Sequence, residues 1–250
     1  MGIVIYFLMF FALTCIGSFI GVCFERIPEG ESIIKGRSHC ESCGKVLKLY
    51  ELVPIVSYLF LRGRCSDCHK KIPLRYPAIE FFTAAFGIIP MIMYGVSVQG
   101  FAYCAISCVL FEIALLDFKT MEISDFASLL IAIIGIALMI YKGSYLSSLI
   151  GAFCISVPFL GLALFGVMGY GDVKLMAAVG ILLGVKGVIF AAFAGIVIGC
   201  FAAIIMKVKQ AYGWKSEIAF GPYLCIGTYL SMLVGTRCAE LYLSIMGFEC

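Results

Sequence analysis

Two sets of side chains in this 250-residue sequence are spaced for chemistry. The first is a group of aspartates at the ends of apolar runs. Asp172 lies in Gly169-Tyr170-Gly171-Asp172-Val173-Lys174, between two strongly apolar stretches. Asp117 closes another such stretch in Leu115-Leu116-Asp117-Phe118-Lys119, and Asp125 opens the next. An ionisable group at such a junction is costly unless it has a role. An Asp at a helix start, however, also caps free backbone N–H groups. For Asp172 taken alone the two accounts stand level, and for Asp125 capping is the simpler one. Two carboxyls brought together cannot both ionise cheaply, so they share one proton as a coupled pair. One then takes a proton from water while the other donates to a carbonyl oxygen, which is the chemistry of aspartic proteolysis.

The second set is cysteine. Cys40 and Cys43 form one CxxC pair and Cys65 and Cys68 another, about twenty residues apart. This is the spacing of a four-thiolate zinc site: each pair makes one knuckle, and two knuckles complete a tetrahedron. His39 and His69 each neighbour a ligand but are surplus to a filled site. The other nine cysteines lie mostly in apolar runs and read as small hydrophobes. Cys104 and Cys108 share a helix face, and Cys238 and Cys250 are near enough in sequence to pair.

The elements that must hold these groups follow from composition. Hydrophobic residues make up 63% of the chain and charged ones 13%, with a mean hydropathy of +1.09. Such a chain is not an ordinary soluble domain. It reads as an all-α, polytopic membrane protein with about eight spans, over 3–23, 78–96, 100–118, 125–142, 145–167, 173–185, 187–206 and 218–245. The first is a retained span rather than a cleaved signal. The sixth is too short to cross comfortably: either it begins below the membrane surface, or it pairs with the seventh as a broken or tilted element, and both would sink the Gly169–Asp172 loop toward a cavity.

The long polar segment Glu25–Pro77 carries ten of the eighteen Lys and Arg. The positive-inside rule makes it cytoplasmic and puts the N-terminus outside. Alternating the spans leaves fifteen basic residues inside and three (Lys142, Lys186 and Arg237) outside. Asp117, Asp125 and Asp172 then all lie at cytoplasmic helix ends, where two carboxylates could meet. The expected domains are a first helix over 1–24, a cytoplasmic zinc domain over 25–77, whose small size calls for a metal staple, and a membrane-embedded catalytic domain over 78–250. Of the remaining acids, Glu80 beside Arg75 reads as an interfacial anchor, and Glu112 as a tuning group or a partner for a polar neighbour. A non-enzymatic transporter or assembly protein, its zinc domain only docking partners, is one alternative; a transporter would also place acids in its helices, but usually near the midplane. A thiol–disulfide oxidoreductase acting on secreted proteins would need its CxxC pairs outside. Neither reading fits as well as an enzyme acting at the cytoplasmic face.

These motifs are also recognisable together. The chain resembles the bacterial type IV prepilin peptidases, membrane aspartyl proteases of the GxGD class. Gly169–Lys174 is similar to their GYGD motif. Leu116 to Asp125 is similar to their other aspartate motif, with Ile123-Ser124 where Leu-Pro is usual. Gly17-Ser18-Phe19, Arg26-Ile27-Pro28, Glu51-Leu52-Val53-Pro54, Leu61 to Cys65, Arg75-Tyr76-Pro77 and Phe220-Gly221-Pro222-Tyr223 resemble further signatures of that family. The resemblance implies that Asp117 and Asp172 are the catalytic pair, with Asp125 in support. It implies cleavage of the leader from prepilins and pseudopilins in the cytoplasmic membrane, followed by N-methylation of the new terminus from S-adenosylmethionine. The cysteine domain, holding zinc through Cys40, Cys43, Cys65 and Cys68, is linked in the family to methyl transfer. Glu51, Gly63 and Arg64 are candidates for the methyl-donor site by motif position, and packing of the zinc domain explains them equally well. Membrane lipid is the other expected partner, and no nucleic acid is expected.

Overall fold

In lipid, every backbone polar group must be bonded internally, so long apolar runs of this composition become helices. A computed structural model describes residues 2–40, 42–208 and 219–235, and among them there are helices and isolated bridges but no strand. In chain order the helices are α1 (Gly2–Arg26), α2 (Val56–Phe60), α3 (Arg75–Tyr94), α4 (Val98–Thr120), α5 (Asp125–Lys142), α6 (Tyr145–Cys154), α7 (Ser156–Leu164), α8 (Tyr170–Val208) and α9 (Gly221–Leu230), the last continuing as a π turn over Ser231–Gly235. Among the described residues six helical stretches are long and apolar enough to cross a membrane, α6 and α7 counting as one. The chain is a multi-pass membrane protein. The expected spans over 3–23, 78–96, 100–118 and 125–142 match α1, α3, α4 and α5 within a few residues. Most of the last expected span, with Cys238 and Cys250, lies outside the described residues.

α8 resolves the short sixth span. Its 39 residues would measure about 58 Å if straight, roughly twice the hydrocarbon thickness of a bilayer. The helix breaks at Gly184, where φ is 69° and ψ is −174°, a region that essentially only glycine occupies. The first half starts with Gly171 against Ile123 and reaches Ser147 at Gly184. The second half returns beside α9: Gly195 lies against Leu224, and Gly199 against Phe220. The broken-element expectation therefore holds, with the break at the far end from Asp172.

Two apolar clusters flank α4. On one side Leu13 and Ile20 of α1 meet Ile79, Ala84 and Met91 of α3 and Cys104 and Cys108 of α4. On the other, Ile106, Leu110 and Ile113 of α4 pack with Ile131, Leu175, Val179 and Leu224. Over half of α4's apolar stretch is buried, against a third or less in each other spanning helix. The helix that carries Asp117 is the one the rest is built around.

Between α1 and α3 lies the cysteine module. Two matched knuckles form in it. In the first, Cys40 N–H donates to Lys45 O at 2.9 Å and Gly44 N–H to Cys40 O at 2.8 Å; in the second, Cys65 N–H donates to Lys70 O at 2.9 Å and His69 N–H to Cys65 O at 3.1 Å. Antiparallel bridges, His39 with Val46 and Arg64 with Lys71, close them. The module is tied to the membrane helices by Glu80, whose Oε2 accepts the Ile55 N–H at 2.7 Å. Ile55 holds φ at 59°, a conformation costing a β-branched residue roughly 1–3 kcal/mol. Arg75 pairs with Glu25 of α1 instead, at 3.1 Å. Glu80 thus ties the start of α3 to the module.

Candidate active site

α4 ends in a sharp cap: Met121 takes up left-handed φ of 56°, and its N–H donates to Asp117 O at 2.9 Å. Left-handed backbone is uncommon outside glycine, and here it turns residues 121–124 back over the helix ends. Ile123 is carried between two glycines. A Cβ built on Gly171 would lie 2.9 Å from Ile123 Cβ, and one built on Gly221 would lie 3.1 Å from Ile123 Cδ1 and 2.6 Å from Asp117 Oδ2. The absence of side chains at Gly171 and Gly221 lets α8 and α9 close on α4 at this point. Asp117 and Asp172 come within electrostatic reach of one another, and both act on Cys225 of α9.

Both carboxyls are enclosed, Asp117 being 4% and Asp172 6% exposed. Asp117 Oδ2 and Asp172 Oδ1 are buried and accept no hydrogen bond within the protein. Buried polar atoms without partners are rare and call for an explanation; a proton shared between the carboxyls, or a water held between them, supplies one. Asp172 is the third residue of α8, so it is not the N-cap the simpler reading expected, although it remains in the first turn where the helix dipole favours negative charge. Asp125 is also inside its helix, one residue after the cap Ser124. Lys174 Nζ donates to both its oxygens, at 2.7 and 2.9 Å. Asp125 and Lys174 thus bond each other and latch α5 to α8, both well exposed. Glu112, deeper in α4, meets the Cys23 thiol of α1.

The four thiols of Cys40, Cys43, Cys65 and Cys68 all lie within 4.8 Å of one another, and neither His39 nor His69 joins the cluster. A tetrahedral zinc with bonds of about 2.3 Å needs sulfurs roughly 3.8 Å apart, and Cys40 and Cys68 are separated by 3.9 Å. The donor set fits a metal ion. Glu51 braces this cluster from inside: it accepts the Lys48 N–H at 2.7 Å, the Ser66 hydroxyl, and Lys45 Nζ at 3.4 Å. Gly63, at φ 66°, lies under the Tyr58 ring, and Arg64 closes the second knuckle. Packing accounts for all three motif positions.

Residues 11–94 match the Bacterial Peptidase A24 N-terminal domain, and residues 104–204 match the Type IV leader peptidase family. The prepilin leader peptidase/N-methyltransferase of Bacillus subtilis is 31% identical over 92% of this chain and 94% of its own. The chain belongs to the type IV leader peptidase family. Enzymes of the same name from Burkholderia pseudomallei and Aeromonas hydrophila are 30% and 28% identical, covering 85% and 96% of this chain and 72% and 94% of theirs. No solved structure matches. In this leader peptidase family member, sequence reasoning missed the part played by Gly221. Its motif was visible, but its approach to Asp117 depends on two helices 104 positions apart meeting.

The bracing of Glu51 has a consequence for stability. The Lys48 N–H, the Ser66 hydroxyl and the Lys45 ammonium together outweigh burial and hold the Glu51 carboxyl below its usual range. A carboxyl depressed in the fold stabilises it above its unfolded value of about 4.3 and loses that contribution as pH falls through the lower folded value. Glu51→Gln is expected to lower the melting temperature at pH 7. That difference from the natural chain should shrink as the pH drops below about 4, as followed by thermal melts in detergent.

Proposed function

We propose that this protein is a prepilin leader peptidase and N-methyltransferase of the bacterial cytoplasmic membrane, cutting the leaders of prepilins and pseudopilins at the cytoplasmic face with the pair Asp117 and Asp172. The observation that carries the reading is the enclosed pair of partnerless carboxyl oxygens, brought together where α4, α8 and α9 converge. The ionised member draws a proton from a water, and that oxygen attacks the scissile carbonyl carbon. The protonated member gives its proton to the carbonyl oxygen. Collapse of the tetrahedral adduct breaks the C–N bond, and the leaving amine takes a proton back from the pair.

The cysteine module, within 25–77, serves methylation, and Cys40, Cys43, Cys65 and Cys68 hold a structural zinc. S-Adenosylmethionine, when bound, supplies an electrophilic methyl on a sulfonium. The new α-amine, once deprotonated, would be the group that receives this methyl. The placement of basic residues supports an outside N-terminus and a cytoplasmic site.

The test is co-expression with a prepilin, with the pilin N-terminus read by mass spectrometry. The expected product lacks the leader and carries one added methyl group; an intact leader would overturn the reading. A second activity is not needed to explain the CxxC pairs, since the four thiols converge on one point rather than forming separate disulfide-forming pairs.

A further inference from the structure

A cavity of about 630 Å³ lies where the cysteine module meets α1 and α3, within the roughly 300–1,000 Å³ range of small-molecule sites. We propose that this cavity is the seat of the methyl donor, S-adenosylmethionine, with Gly21 as its floor and Glu25 as the carboxylate nearest the donor's positive centres. The inference rests on the methyltransferase reading and adds the place of binding.

Charge is the first support. The donor carries a sulfonium and an ammonium, both cationic, and one carboxylate. Glu25, Glu29 and Glu31 line the cavity together with basic residues that include Lys70 and Lys71, so its wall carries both signs, as the donor does. Glu25 Oε1 is ion-paired with Arg75 at 3.1 Å, and both residues line the cavity. A carboxylate held at the cavity wall by one guanidinium still presents negative charge to a cationic ligand. Other charged groups in the wall are already engaged. Arg26 donates to the carbonyls of Ser32, Lys35 and Arg37, Glu51 braces the knuckles, and Glu80 accepts from Ile55.

Position is the second. Lys119, two residues beyond Asp117, also lines the cavity, and its Nζ donates to Phe24 O at 3.0 Å beside Glu25. The helix that ends at the aspartate pair thus abuts the same chamber, so a newly freed amine has a short path to the donor. Gly21 leaves room: the nearest atom to a Cβ built there is Tyr76 Cδ1 at 3.9 Å, so a larger side chain would enter the cavity without disturbing backbone.

The experiment is isothermal titration of S-adenosylmethionine into the zinc-loaded full chain in detergent. Gly21→Leu, which plugs the cavity, and Glu25→Gln, which removes the charge, are each expected to weaken binding tenfold or more with one zinc per chain retained. Asp172→Asn should bind the donor as the natural chain does. Unchanged affinity in both Gly21→Leu and Glu25→Gln overturns the assignment while methylation itself stands. A natural chain that neither binds the donor nor methylates overturns the methyltransferase reading with it. Displacement of the donor by short-chain phosphatidylglycerol, with heat of lipid binding lost in Gly21→Leu, would assign the cavity to lipid and overturn the proposal.

Discussion

Asp117→Asn and Asp172→Asn are each expected to lower leader removal by on the order of 10³-fold, with the amount of membrane-inserted protein unchanged. Asn matches Asp in shape, so helix packing around Gly221 and Ile123 should survive. What is lost is the exchange of a proton between two carboxyls. Because the pair acts as a unit, the double variant should be little worse than either single one. Leader removal at the natural rate by either variant would take that residue out of the mechanism. A double variant whose loss is the product of the single losses would mean two independent roles. The latch between Asp125 and Lys174 offers a contrast: it is well exposed, and exposed ion pairs contribute little to stability.

Removing the metal is expected to have the next largest effect, and to fall unequally on the two activities. Metal bound by a small thiolate module contributes about 10–16 kcal/mol to its folding, more than such a module could hold in reserve. Cys40→Ser or Cys65→Ser, or treatment with a strong chelator, should therefore unfold the knuckles. Methylation should fall below detection, while leader cleavage, whose aspartates stand on α4 and α8, should fall less. Zinc content by mass spectrometry of emission or mass type, alongside the pilin N-terminus, checks both halves. Cleavage lost with methylation intact would contradict the division of labour between the module and the membrane helices.

The parts of this site that were legible in the sequence are those where residue type and spacing carry the chemistry. Cys40, Cys43, Cys65 and Cys68 are spaced as ligands, and they converge. Asp117 and Asp172 stand at helix ends, and the ends meet. What could not be read was helix rotation. In water an apolar stripe marks the buried face, but in lipid both the core face and the outer face are apolar, and α4 shows no stripe to read. Gly221 against Asp117, Glu80 to Ile55, and Glu25 with Arg75 all depend on rotation, and each departs from or adds to what the sequence suggested. Asp125 illustrates a smaller failure. Its place at a helix start was right, but its side chain is bonded by Lys174, 49 positions away, and the cap is Ser124.

The turn at Gly184 bears on which face of the membrane each later residue reaches. Gly221 lies against Asp117, so the number of crossings between them must be even. If α5 goes over and α6 with α7 comes back, α8 must go over and return too, its two halves joined at Gly184. That return hinges on a single residue in a conformation other side chains do not adopt. Were α8 to run straight, α9 would change sides and be parted from the aspartate it now covers. The side of the membrane that α9 reaches is thus held by one glycine.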